Sequence, residues 1–122
     1  MSEIGVDIVE IARVRRAVEA HGPGFRRRVY TDLEWQQCGR SFASLAGRFA
    51  AKEAVMKALG TGGMAFRDIE IVRTPSGKPE VRLSGRMQRR AARLGVARIA
   101  ITISHSRDNA VAVALAHGGG EV

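Results

Sequence analysis

The chain alternates short β-branched runs with longer segments of helical spacing. Ile4 to Val9, "IGVDIV", is apolar and β-branched with one acid inside it, the pattern of a buried strand. Behind it Ile11, Val14, Ala17 and Val18 recur at helical spacing, and Gly22-Pro23-Gly24 ends that helix. Thr31 and Glu34 stand in capping-box positions, so a short helix starts near Asp32. The next helix runs from about Ser44 to Leu59, with Leu45, Phe49, Met56 and Leu59 on one broad apolar face. "DIEIVRT" alternates Ile69 and Ile71 with acids as a half-buried strand does, Thr74 to Gly77 is a turn, and "PEVRL" returns. Ser84 caps a basic helix closed by Gly95, and "RIAITIS" and "AVAVALA" are two further apolar strands joined by "HSRDN". Strands in pairs with short turns predict an α+β fold with a largely antiparallel sheet packed with helices, one domain over residues 1–122.

Composition narrows the partners. Lys and Arg number 20 against 12 Asp and Glu, a net charge of +8 that attracts polyanions. The aromatics are few and scattered, whereas single-strand binders set stacking rings beside a basic groove, so no nucleic-acid partner is expected. No apolar run is long enough to cross a bilayer, and the start lacks a basic-then-apolar signal pattern, so the expectation is a cytoplasmic protein without membrane contact. Cys38 is the single cysteine and reads as a small helix residue. No His/Cys cluster has zinc-ligand spacing.

Several residues carry candidate chemistry, each beside a plainer reading. Asp7 is an acid in an apolar strand, which is costly unless it is paired, bound to a metal, or turned to solvent by the pleat. Glu53 and Lys57 stand four apart on one helix, the favourable order for a surface ion pair and equally the spacing that puts both on one face of a site. Gly60 and Gly62 around Thr61 are a helix stop that also gives backbone amides room to meet a phosphate. His105 lies between two strands, and the arginines of the first helix, Arg13 and Arg16 among them, form a basic face.

Taken in order, "GVDIVEI", "GRFAAKEAVMKALGTG", "DIEI", "SGKP" and "ISHSRDNA" resemble the holo-[acyl-carrier-protein] synthases, the short 4′-phosphopantetheinyl transferases, from about Ile4 to Ala116. That resemblance implies transfer of the phosphopantetheine arm of coenzyme A to a serine of apo-acyl carrier protein, with release of adenosine 3′,5′-bisphosphate. It implies Mg²⁺ held by Asp7 and Glu53, with Lys57 at the CoA phosphates and these three forming the catalytic set. Arg48, Gly60, Gly62 and His105 fall with Lys57 in the CoA-binding region, and Arg13 and Arg16 face the acidic carrier. It further implies a homotrimer with sites between subunits. Glu3 departs from the family pattern by standing where a glycine is common, and Asn109 by standing where an aromatic is common. The segment after Gly62 is shorter than usual. Two other readings compete: a basic nucleic-acid-binding module, and a CoA-binding homologue without transfer activity.

Overall fold

The chain runs through β1 (Ser2–Glu10), α1 (Ile11–Val29), α2 (Asp32–Cys38), α3 (Phe42–Ala58), a 3₁₀ turn (Phe66–Asp68), β2 (Ile69–Arg73), β3 (Pro79–Leu83), α4 (Gly85–Arg93), β4 (Val96–His105) and β5 (Asn109–Gly118). This is the order the sequence predicts, in a computed structural model that describes residues 2–62 and 65–118. β1, β5 and β4 form an antiparallel sheet in that order, and β2 and β3 form a separate antiparallel hairpin. The first strand therefore pairs with the last, with Asp7 opposite Ala112. Glu3 is exposed within an unbroken β1, opposite Ala116, so the acid at that position leaves the strand intact.

Small residues bring α3 and the sheet together. Ala46, Ala50, Ala54 and Ala58 recur one turn apart on α3 and are all buried. The inward positions of β5 are Ala110, Ala112, Ala114 and Ala116, also buried. β1 contributes Gly5, where a Cβ would lie 2.0 Å from the Ala54 carbonyl oxygen. Real Cβ atoms do not approach that closely, so main chain meets main chain here, and only glycine fits.

A buried ion pair locks the other side of α3. Lys52 and Glu34 are both fully buried, with Nζ 2.6 Å from Oε1. Lys52 also donates to the carbonyls of Val29 and Phe66, while Glu34 accepts from the amides of Thr31 and Ile71. Five elements or their junctions thus meet at one pair whose hydrogen-bonding capacity is used. Burial pulls the Lys52 ammonium below its ordinary pKa, and Glu34 opposes that shift. Glu34 performs this role while closing the expected capping box with Thr31. Cys38 ends α2, buried, its thiol donating to the Glu34 carbonyl.

Three local expectations are corrected. α1 does not stop at Gly22: that residue breaks the helix (φ 45°, ψ −124°), and helical backbone resumes from Pro23, carrying Phe25 and Val29 into the core. Proline suits a first helical turn because its missing N–H has no partner there. α3 begins at Phe42, capped by the Ser41 hydroxyl, which accepts from Ser44 N. At α4 the Ser84 side chain makes no cap; the Asp68 carboxylate accepts from Arg86 N at 2.9 Å instead. On α3, Leu45, Met56 and Leu59 are buried as expected, whereas Phe49 is half-buried and stacks on Phe66 at 5.3 Å.

The outer face of the sheet is apolar and open. Ile4, Val6 and Ile8 are 68%, 53% and 65% exposed, and they sit opposite Leu115, Val113 and Val111 of β5. Among the described residues no helix is long and apolar enough to cross a membrane.

Candidate active site

The alternation of β1 puts Gly5, Asp7 and Val9 on the α3 side, so Asp7 faces the helix rather than bulk solvent, its side chain 17% exposed. Lys57 Nζ donates to Asp7 Oδ1 at 3.1 Å and to the Val6 carbonyl at 3.0 Å. No Glu53–Lys57 ion pair occurs among the described residues, so the simple helix-surface pairing does not hold. Glu53 is half-buried one turn earlier. Burial raises its carboxyl pKa above the ordinary value, the Asp7 charge raises it further, and Lys57 partly offsets both. Two acids and one amine thus converge from β1 and α3 in one electrostatic neighbourhood.

The donor set fits a divalent cation of the magnesium type. Mg²⁺ takes one or two protein carboxylates with phosphate oxygens and water, not a protein cage. Among the described residues no group of three or more His, Cys, Asp and Glu gathers. Two carboxylates close enough to raise one pKa hold surplus negative charge, and Lys57 neutralises only part of it.

A second cluster lies toward the start of α3. Arg48 is 7% exposed, and one of its amines donates to Gln37 Oε1 at 3.2 Å. Its Nε is buried and meets no acceptor among the described residues. A buried guanidinium without a carboxylate partner is poised for an anion. His105 closes β4 rather than standing in the loop, and its Nε2 would lie 3.0 Å from a Cβ on Gly47. The glycine before Arg48 therefore admits the imidazole beside it.

α3 ends in a Schellman motif. Gly60 takes φ 69°, Thr61 N donates to Met56 O at 2.9 Å and Gly60 N to Lys57 O at 3.1 Å. Both amides serve the helix's own carbonyls, so the expectation of phosphate-binding amides does not extend to Gly60 and rests on Gly62. Arg90 of α4 braces the turn, donating to the carbonyls of Leu59 (2.9 Å) and Gly60 (3.3 Å). Sequence reasoning missed this brace, the Lys52–Glu34 pair and the orphaned Arg48 Nε. Arg13 and Arg16 are exposed on α1, while Arg15 between them pairs with Glu19. Asn109 opens β5 and exchanges bonds with Ser106 across the turn.

The α+β fold thus brings two carboxylates and a lysine together between a strand and a helix, with a buried arginine earlier on that helix whose Nε lacks an acceptor, the make-up of an enzyme. The chain belongs to the 4′-phosphopantetheinyl transferase superfamily, whose sequence profile matches residues 3–115, and within it to the holo-[acyl-carrier-protein] synthases. The holo-[acyl-carrier-protein] synthase of Herpetosiphon aurantiacus is 44% identical over 123 residues, covering 93% of this chain and 97% of its own. The crystal structure of the Neisseria meningitidis synthase superposes with a TM-score of 0.85 at 36% identity, covering 94% of this chain and 97% of that one. The Helicobacter pylori synthase in complex with coenzyme A gives 0.86 at 33% identity, with 93% and 99% covered.

Proposed function

We propose that this chain moves the 4′-phosphopantetheine arm of coenzyme A onto a serine of an apo-acyl carrier protein, with Mg²⁺ as cofactor and adenosine 3′,5′-bisphosphate as the second product. The observation that carries the reading is the convergence of Asp7, Glu53 and Lys57. The name of the relatives and the coenzyme A complex of the Helicobacter pylori synthase support the substrates. In the reaction the serine oxygen bonds to the phosphorus bearing the pantetheine arm, and the anhydride bond to the nucleotide breaks. Asp7 and Glu53 would hold the ion, which when bound polarises that phosphorus and offsets charge on the leaving phosphate. Lys57, 54% exposed, reaches from Asp7 toward solvent and neutralises or protonates the leaving oxygen. Arg48 and His105 take a further CoA phosphate, and Arg13 and Arg16 attract the acidic carrier.

The open apolar face of Ile4, Val6 and Ile8 supports a trimer with sites between subunits, because soluble monomers rarely leave such a stripe in water. The setting is the cytoplasm. Protein, coenzyme A, Mg²⁺ and an apo-carrier are mixed, and intact mass spectrometry reads the carrier. A mass gain of one phosphopantetheine is expected, and an unmodified carrier would overturn the proposal.

A further inference from the structure

α2 stands against the free edge of β2, whose one strand neighbour is β3. The amides of Ile71 and Arg73, one strand repeat apart, point out of that hairpin toward α2. Glu34 and Gln37, one helical turn apart, accept from them: Glu34 Oε2 from Ile71 N at 2.7 Å, and Gln37 Oε1 from Arg73 N at 3.0 Å. Each acceptor also takes a cation of α3. Glu34 holds Lys52, and Gln37 Oε1 accepts from an Arg48 amine at 3.2 Å. Lys52 and Arg48 again stand one turn apart on one face of their helix. Two rungs thus run from the strand edge through α2 to α3, and they differ in charge. The first carries a carboxylate and closes as a buried ion pair. The second carries a neutral amide. Arg48 therefore keeps its charge: it forms no ion pair among the described residues, and its Nε meets no acceptor.

The Arg73 peptide decides how the Gln37 amide stands. Its N–H requires the oxygen, and its carbonyl takes Gln37 Nε2 at 3.3 Å, so the amide cannot turn over without losing both bonds. The Arg73 guanidinium donates in turn to the Gln37 carbonyl at 3.1 Å, tying the main chain of α2 to the same residue. The side-chain oxygen is thereby held toward Arg48. We infer, on the reading that Arg48 takes a coenzyme A phosphate, that Gln37 is its positioning residue: the amide aims the guanidinium and, being neutral, leaves the charge for the phosphate. A carboxylate in this place would engage the guanidinium fork itself and compete with the phosphate. An apolar side chain would leave the fork without its aiming acceptor.

Coenzyme A is titrated by calorimetry, in Mg²⁺, into the full chain, into Gln37→Glu and Gln37→Met, and into each of these combined with Arg48→Gln. Gln37→Glu should lose about ten-fold or more in affinity, the scale of one charge-assisted contact. Its melting temperature should stay at or above that of wild type, because Arg48 gains a charged partner. Gln37→Met should lose less, since the charge remains and only the aim is gone. In the Arg48→Gln background neither substitution should cost further affinity, whereas a merely structural role would go on costing there. Wild-type affinity in Gln37→Glu overturns the inference, and so does a loss that persists undiminished without Arg48. If Gln37→Glu fails to fold, Gln37→Met decides, and affinity equal to wild type overturns the aiming role. A wild type that takes up no coenzyme A overturns the transfer reading and this role together. Normal uptake without coupling between Gln37 and Arg48 overturns the positioning role alone.

Discussion

Lys57 Nζ rests 3.1 Å from Asp7 Oδ1 across 50 residues of chain, and it donates no bond to Glu53 on its own helix. The lysine ties the strand acid to the helix, and under the proposed transfer it would exchange that partner for a phosphate. Lys57→Ala should lower kcat by about 10²-fold or more, the scale of one positioned acid or electrostatic donor. Its melting temperature should change little, because the Lys57 end of the pair is 54% exposed and water screens its charge. Lys57→Arg should restore activity in part if charge alone matters, and hardly at all if a proton is given up. Full kcat in Lys57→Ala would return the residue to a surface role.

Asp7→Asn and Glu53→Gln should each nearly abolish transfer and the rise in melting temperature that Mg²⁺ with CoA gives the wild type. Glu53 adds a pH signature. Its carboxyl pKa is raised in the folded state by burial and by Asp7, so folding favours the protonated form. That contribution is present below the ordinary carboxylate value and is lost as pH rises through the raised one. Metal-free Glu53→Gln should therefore melt above wild type at about pH 8, with the gain gone at about pH 4. A gain that grows on acidification would contradict the electrostatic account.

Arg13→Glu should raise KM for the carrier and flatten its salt dependence, with KM for coenzyme A little changed. Steady-state kinetics at two salt concentrations measures both. A rise confined to coenzyme A would move Arg13 into the nucleotide site.

Breaking the buried pair should be costly far from any chemistry. Lys52→Met leaves the Glu34 carboxylate fully buried with only amide donors, and should lose about 3–5 kcal/mol in urea denaturation. Lys52→Met combined with Glu34→Gln should recover part of that loss. A single variant within about 1 kcal/mol of wild type would mean water reaches the carboxylate.

Val6→Asp places a charge in the middle of the open apolar face and should yield monomers by light scattering, with the circular dichroism of the fold kept. A wild type that is monomeric at every concentration would remove the trimer.

The element order and most boundaries were legible because periodicity and capping are local: Thr31 and Glu34 announce their box within four residues. The pairing of β1 with β5, the rotation of α3 and the burial of Lys52 were not, since each depends on contacts distant along the chain. Lys52 reads as one more surface lysine until Glu34, Val29 and Phe66 surround it. The helix after Gly22 is hidden because Gly-Pro-Gly signals a stop, although Pro23 is also a good first residue of a new helical turn. For the site, spacing alone leaves Glu53 and Lys57 as a surface pair and Asp7 as a solvent-facing acid; the family resemblance singles the three out, and the partner of Lys57 emerges only from the strand–helix packing.

Gly5 carries a consequence for how the site tolerates change. A Cβ there would meet Ala54 O at 2.0 Å and Ala58 N at 2.7 Å, so the spacing between β1 and α3 is a hard stop made of main-chain atoms. Asp7 stands two residues along one backbone, and Glu53 and Lys57 flank the contact on the other. The separation of the reactive groups is therefore gauged by peptide units rather than by the bulk of surrounding side chains. Swaps among core residues such as Val55 or Ile101 can shift stability without detuning that gauge, whereas a single methyl at position 5 would force β1 and α3 apart along their main chains.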